Sequence, residues 1–286
     1  MIVDSHVHVW DLAISDYAWL GPQHGPLNRS FSPAESTNEL AAAGITAGVL
    51  VQAEDSTADT AYLLDVAERY AAFVGVVGWV QLDDRRVTAA QLAELAAYPQ
   101  LRGIRHLVHD DPRDDFLLLP EVRTSLALVA DAGLAFDVPD AWPRHLAQVA
   151  GLAAELAQLT VVIDHLGKPP RGSGELADWE LALRTAAVVP NTVAKVSGLH
   201  VEGQPFTADA LRPVWETALD AFGPARLMYG GDWPVSVLSG GYGAHWQVLS
   251  ELIGELTADE QDLVLHGTAT RAYGLGVLAE RGETHG

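Results

Sequence analysis

The chain has 286 residues, 49% of them apolar, and a formal charge of −21 from 38 acidic against 17 basic side chains. Such acidity argues against nucleic acid or an anionic membrane surface as a partner, because both require a dense positive field, and the apolar content is that of a chain with ample core, not of a disordered one. Cysteine is absent, so disulfides, thiolate metal sites and cysteine nucleophiles are excluded, and any metal must be held by His, Asp or Glu.

The length suits one α/β barrel domain spanning residues 1–286. The N-terminal Met1-Ile2-Val3-Asp4-Ser5-His6 lacks the basic and apolar regions of a signal peptide. No apolar run approaches the ~18 residues of a membrane span, so a cytoplasmic enzyme is expected.

Short β-branched runs alternate with Ala/Leu/Glu stretches of helical period. In chain order the predicted strands are 2–7, 45–53, 73–80, 103–108, 134–138, 160–164, 193–197 and 227–230. The predicted helices between and after them are 57–70, 88–97, 120–132, 143–157, 177–188, 208–221, 242–256 and 258–265. Pro143 is placed in a first helical turn, and Thr257 with Glu260 reads as a helix start. Residues 11–33 form the longest irregular stretch and are expected to cover a site. Strand–helix alternation repeated eight times predicts a closed (β/α)8 TIM-like barrel. Neither Gly-x-Gly-x-x-Gly nor a phosphate-cradling Gly-Lys-Ser/Thr is present, which argues against a nucleotide cofactor.

The chemistry-bearing residues sit at strand ends, where barrel enzymes build their sites. Asp4, His6 and His8 alternate along the first strand and are expected on one face. The two imidazoles can grip a cation or a substrate oxygen, or simply pack. His165 ends the sixth strand as an oxyanion donor, a ligand or a structural residue. Asp232 ends the eighth strand, which neighbours the first in a closed barrel, and suits a metal ligand, a general base or a helix cap.

Taken together, the motifs resemble those of the amidohydrolase superfamily (amidohydrolase-related, family 2). The closer similarity is to its lactonases, which act on sugar lactones such as those of L-fucose and L-rhamnose, on sulfomuconolactone and on pyrone dicarboxylate. The resemblance runs nearly end to end, through Asp4-Ser5-His6-Val7-His8-Val9-Trp10-Asp11, Val49-Leu50-Val51-Gln52-Ala53, Val77-Gly78-Trp79-Val80 and Leu101-Arg102-Gly103-Ile104-Arg105-His106. It continues through Ile163-Asp164-His165-Leu166-Gly167-Lys168-Pro169, Lys195-Val196-Ser197-Gly198-Leu199 and Arg226-Leu227-Met228-Tyr229-Gly230-Gly231-Asp232-Trp233-Pro234. The usual Gly-Ser-Asp-Trp-Pro is here Gly-Gly-Asp-Trp-Pro.

The resemblance implies a hydrolase that opens a small lactone, best an aldonolactone, with His6, His8, His165 and Asp232 as the catalytic core. It implies substrate contacts from Gln52 and from Arg105 or His106, neighbours of which at most one reaches the pocket. Trp10, Trp19, Trp79 and Trp233 are candidate walls. Two metals are not expected, because the fourth strand carries no bridging lysine or glutamate and the fifth ends Val138-Pro139-Asp140 without histidine. One divalent ion, zinc first, on His6, His8, Asp232 and His165 is compatible, and so is metal-free catalysis. Two rival readings are a metal-dependent decarboxylase of the same superfamily and a catalytically silent ligand-binding barrel. The expected partner is a small-molecule lactone; monomer and homo-oligomer stay open.

Overall fold

A computed structural model describes residues 1–276. Eight parallel strands stand side by side in chain order: β1 Val3–Val7, β2 Ala47–Val51, β3 Phe73–Gly78, β4 Leu101–Arg105, β5 Ala135–Val138, β6 Val161–Ile163, β7 Thr192–Val196 and β8 Leu227–Tyr229. The seam between the last and the first is joined just beyond β8. There Val7 bridges Trp233 in parallel, His8 N–H donates to Trp233 O at 2.6 Å and Asp232 N–H donates to His6 O at 2.9 Å. The result is the (β/α)8 barrel that the alternation predicts. All eight predicted strands form, each within a few residues of its expected bounds.

Helices wrap the strands: α1 Pro33–Ala42, α2 Thr57–Arg69, α3 Arg85–Leu95, α4 Pro120–Asp131, α5 Leu146–Glu155, α6 Leu176–Ala187, α7 Ala208–Phe222 and α8 Tyr242–Ile253. The short α9 Ala258–Asp262 and α10 Thr268–Ala272 follow. Helix α1 lies outside the predicted set. It starts with a capping box in which Ser32 Oγ accepts from Glu35 N–H and the Glu35 carboxylate accepts from Ser32 N–H. Two further expectations are corrected. Pro143 is not in a first helical turn, since α5 begins at Leu146. Helix α3 starts at Arg85, before the expected residue 88, because Asp84 caps it by accepting from the Arg86 and Val87 amides.

The core has two compartments, as strand alternation requires. Inside the barrel, Val3, Val49, Val51, Val77, Val162 and Met228 pack together, and Ala269, Tyr273 and Leu275 from the C-terminal segment join that cluster. Outside it, residues such as Leu50, Val76, Ile104, Phe136, Ile163 and Val196 meet the helices. Among the described residues no helix is long and apolar enough to cross a membrane.

Candidate active site

The register of β1 against β2 shifts between Asp4 and Val7. Such a slip disturbs strict alternation and re-aims side chains. The expectation that Asp4, His6 and His8 share one face is corrected accordingly. Asp4 turns to the β8 side, where its carboxylate accepts from the amides of His6 and Gly231 and from Tyr242 Oη at 2.6–2.9 Å. This explains the second glycine of Gly230-Gly231-Asp232: a Cβ at 231 would lie 2.3 Å from the Tyr242 ring and 2.4 Å from Asp4 Oδ2.

His6 and His8 face each other, with their Nε2 atoms 3.0 Å apart. His8 Nδ1 lies 2.7 Å from the Val51 carbonyl, an acceptor only, so Nδ1 carries the proton and Nε2 the lone pair. His6 Nε2 must then donate. That leaves His6 Nδ1 to accept from Lys195 Nζ, 3.2 Å away. Burial, and then the Lys195 charge, push His6 well below the usual imidazole range, so it is neutral at pH 7. Lys195 is fully buried and is balanced by Asp137 Oδ2 at 2.6 Å and Asp164 Oδ1 at 3.0 Å; Tyr273 Oη donates to Asp137 at 2.7 Å.

His165 and Asp232 are both held in the left-handed region, at φ 56° and 50°. Non-glycine residues adopt that region at a cost of about 1–3 kcal/mol each, and such residues cluster at functional sites. His165 Nδ1 is 2.9 Å from Ser197 Oγ, and a Cβ at Gly198 would come within 2.3 Å of the same nitrogen. Glycine at 198 is what lets the imidazole sit there. Asp232 Oδ1 lies 3.8 Å from His6 Nε2 and 3.6 Å from His8 Nε2. Burial alone would raise its pKa, but the neighbouring imidazoles, His165 first, hold it well below the usual carboxylate range. Asp232 is therefore an anion facing imidazole nitrogens.

A pocket opens over these groups at the C-terminal mouth of the barrel. Its lining includes His8, Trp10, Trp19, Arg105, His109, Asp140, His165, Lys168 and Asp232; the fully buried His6 contacts Asp232. Of the two candidates on strand four, Arg105 is the one that reaches it. Its guanidinium lies 3.4 Å from His6 Nε2 and 3.3 Å from Asp164 Oδ2, and it donates to the Gln52 carbonyl. His106 turns instead to an adjoining cavity beside Trp19, stacked on Phe116 and bonded to Trp79 Nε1, Asp55 and Asp111. Trp79 is occupied with His106 and Thr60. Gln52 is fully buried, with its amide nitrogen on Asp55 and Arg105 O, and Trp233 packs edge-on against Phe31 and Tyr242. Gln52, Trp79 and Trp233 lie outside the lining of this pocket, and His106 lines an adjoining cavity that shares Trp19 and Leu107 with it. Trp10 and Trp19 do wall the pocket, and the 11–33 stretch that carries Trp19 lies over the barrel mouth.

Sequence reasoning passed over Asp140, His109 and Lys168 as pocket residues and Asp137 and Lys195 as its support. A signal existed for the last two. Each is an ionisable residue inside a short apolar strand, Phe136-Asp137-Val138 and Ala194-Lys195-Val196, where a charge survives only if it is paired.

The donors fit one cation. His6, His8 and Asp232 each offer one ligand atom, all within 4.8 Å of one another; His6 groups with Asp164 and His165 in a second such set. Two imidazoles and a carboxylate make a zinc-type donor set. Placing a cation on His6 Nε2 would move that ring's proton to Nδ1, towards Asp164 Oδ1 3.5 Å away. β4 ends in Arg105, not in a bridging lysine or glutamate, and β5 is followed by Pro139-Asp140. A strand-five histidine, which the decarboxylase reading requires, is likewise missing.

Comparison with known proteins agrees with this geometry. The sequence profile described as Amidohydrolase matches residues 3–275. An L-fucono-1,5-lactonase of Burkholderia ambifaria is 38% identical over 277 residues, covering 95% of this chain and 94% of that protein. One from Burkholderia multivorans is 35% identical, with 96% of each chain covered. The crystal structure of an amidohydrolase from Burkholderia multivorans with bound zinc superposes with a TM-score of 0.86 at 34% identity, covering 96% of this chain and all of that one.

Proposed function

The chain belongs to the amidohydrolase family, and from that premise we propose that it is a lactonase that hydrolyses a sugar lactone, with residues 1–286 acting as one catalytic domain. The observation that carries the reading is the convergence at one pocket of an ionised Asp232 and the Nε2 atoms of His6 and His8. The near full-length L-fucono-1,5-lactonase relatives favour an aldonolactone as substrate.

Asp232 accepts a proton from a water as the water oxygen bonds to the lactone carbonyl carbon. The carbonyl π pair moves to oxygen, and the resulting oxyanion is stabilised by Arg105 and by an N–H donor of His165. On collapse the carbonyl re-forms and the ring C–O bond breaks. Its electron pair stays on the ring oxygen, which takes the proton back from Asp232. The hydroxy acid then ionises. Trp10 and Trp19 close the pocket against bulk water. Held by His6, His8 and Asp232, a divalent ion supplies Lewis-acid polarisation of the carbonyl when bound.

The test is a pH-indicator assay of L-fucono-1,5-lactone and related aldonolactones with untreated, chelated and zinc-reconstituted protein. Hydrolysis well above the spontaneous rate in any of the three preparations is expected. A folded protein that opens none of these lactones in any metal state overturns the reading.

A further inference from the structure

Asp140 stands just past β5. Its backbone has φ 41°, a region that Asp and Asn tolerate better than other side chains, but still at a cost. The carboxylate lines the same pocket as Asp232. Its nearest charged neighbour is Lys168 Nζ, 3.7 Å from Oδ2, and His165 Nε2 is 4.0 Å from Oδ1; both are beyond hydrogen-bond length. Oδ1 is buried and has no hydrogen-bond partner among the described residues. Asp4, Asp59, Asp137 and Asp164 each accept at least one hydrogen bond on a carboxylate oxygen, whereas Asp140, like Asp232 with its imidazole contacts at 3.6–3.8 Å, accepts none among the described residues. A strained backbone holding an unengaged acceptor at a pocket wall marks a group whose partner is a ligand.

The charges of the pocket sharpen this. Its permanently charged lining residues are Arg105 and Lys168 against Asp140 and Asp232, so they cancel. The Asp140 carboxylate stands beside the Lys168 ammonium, the cation it offsets. A neutral polyhydroxy lactone suits a balanced pocket. Its hydrolysis product, an aldonate, adds a negative charge beside two existing ones.

We propose that Asp140 is a specificity residue: it accepts hydrogen bonds from hydroxyls of the neutral lactone and, as the counter-charge to Lys168, repels anionic lactones and the aldonate product. This inference rests on the lactonase reading of the same site. Asp140 is not assigned to the bond-breaking step.

The test compares two constants in one protein: the KM for an aldonolactone and the inhibition constant of its aldonate, the latter also measured by direct calorimetry. Wild type should bind the lactone better than the aldonate. In D140N, whose side chain tolerates the same backbone, KM should rise while the aldonate binds about tenfold tighter, the size expected of one charge a few ångströms away in a partly solvated site. K168M should move aldonate affinity the opposite way. Damage to the pocket alone would weaken lactone and aldonate together. If wild type turns over the lactone and folded D140N binds aldonate no tighter, the role of Asp140 is overturned and the lactonase reading stands. If wild type neither hydrolyses the lactone nor binds lactone or aldonate, the lactonase reading fails and this inference with it.

Discussion

In the proposed mechanism, the step that most needs one side chain is the proton transfer at Asp232. Asn keeps the size and backbone preference of Asp232 but cannot take a proton, so D232N should lower kcat by about 10²–10⁴-fold. The melting temperature should hardly move, and activity within a few-fold of wild type would remove Asp232 from its assigned role. The histidines and Asp232 could be picked out of the sequence because their types, spacing and strand-end positions are unusual together. The choice between Arg105 and His106 could not, because two adjacent residues on a strand point to opposite faces and a sequence does not say which face is inside. Gln52 poses a related difficulty. A polar residue at a strand end looks like a substrate contact, whereas its amide instead ties β2 to β4 through Arg105 O.

Among the elements, α1 shows where pattern reading loses its grip. Its segment, Pro33 to Ala42, buries only Ser36 and Leu40, so no apolar stripe announces it. The local signal is the Ser32–Glu35 capping box behind a proline, and that box is the feature to perturb. S32A should cost about 1 kcal/mol in urea unfolding and leave lactone turnover unchanged. An unchanged midpoint would mean the box contributes nothing to α1.

Helix α8 carries a pH effect. His245 is buried against Phe206 with neither ring nitrogen hydrogen-bonded among the described residues, and burial pushes its pKa down to about 4 from an ordinary 6.5. The unfolded chain takes up this proton near pH 6.5 and the folded chain only near pH 4. Between those values the unfolded state binds more protons, so stability falls as the pH drops through that window, by up to about 3 kcal/mol from this group. H245L should therefore lose less stability than wild type between pH 7 and pH 4.5 in denaturant titrations. Parallel losses in the two proteins would show that His245 is not the titrating group.

At the scale of the whole molecule, the barrel interior holds a buried charge cluster, Lys195 with Asp137 and Asp164, contributed by β7, β5 and the end of β6. Removing one partner of a buried pair strands the others, typically at 3–5 kcal/mol. K195M should lower the unfolding free energy by roughly that amount and also disturb His6, which loses the donor at its Nδ1. A K195M protein as stable as wild type would show that the two carboxylates are compensated in another way.

The sequence by itself determined the eight strand–helix units, and with them the barrel, because hydrophobic period is a local property that each segment carries regardless of its neighbours. It also determined that His6, His8, His165 and Asp232 lie at strand ends on one rim. Which residues face the pocket, which histidine nitrogen bears a proton, and the pairing of Lys168 with Asp140 were decided only by the tertiary structure. Those properties depend on strand register, on backbone held at positive φ and on charges brought together from distant parts of the chain, and none of these is written in a local pattern.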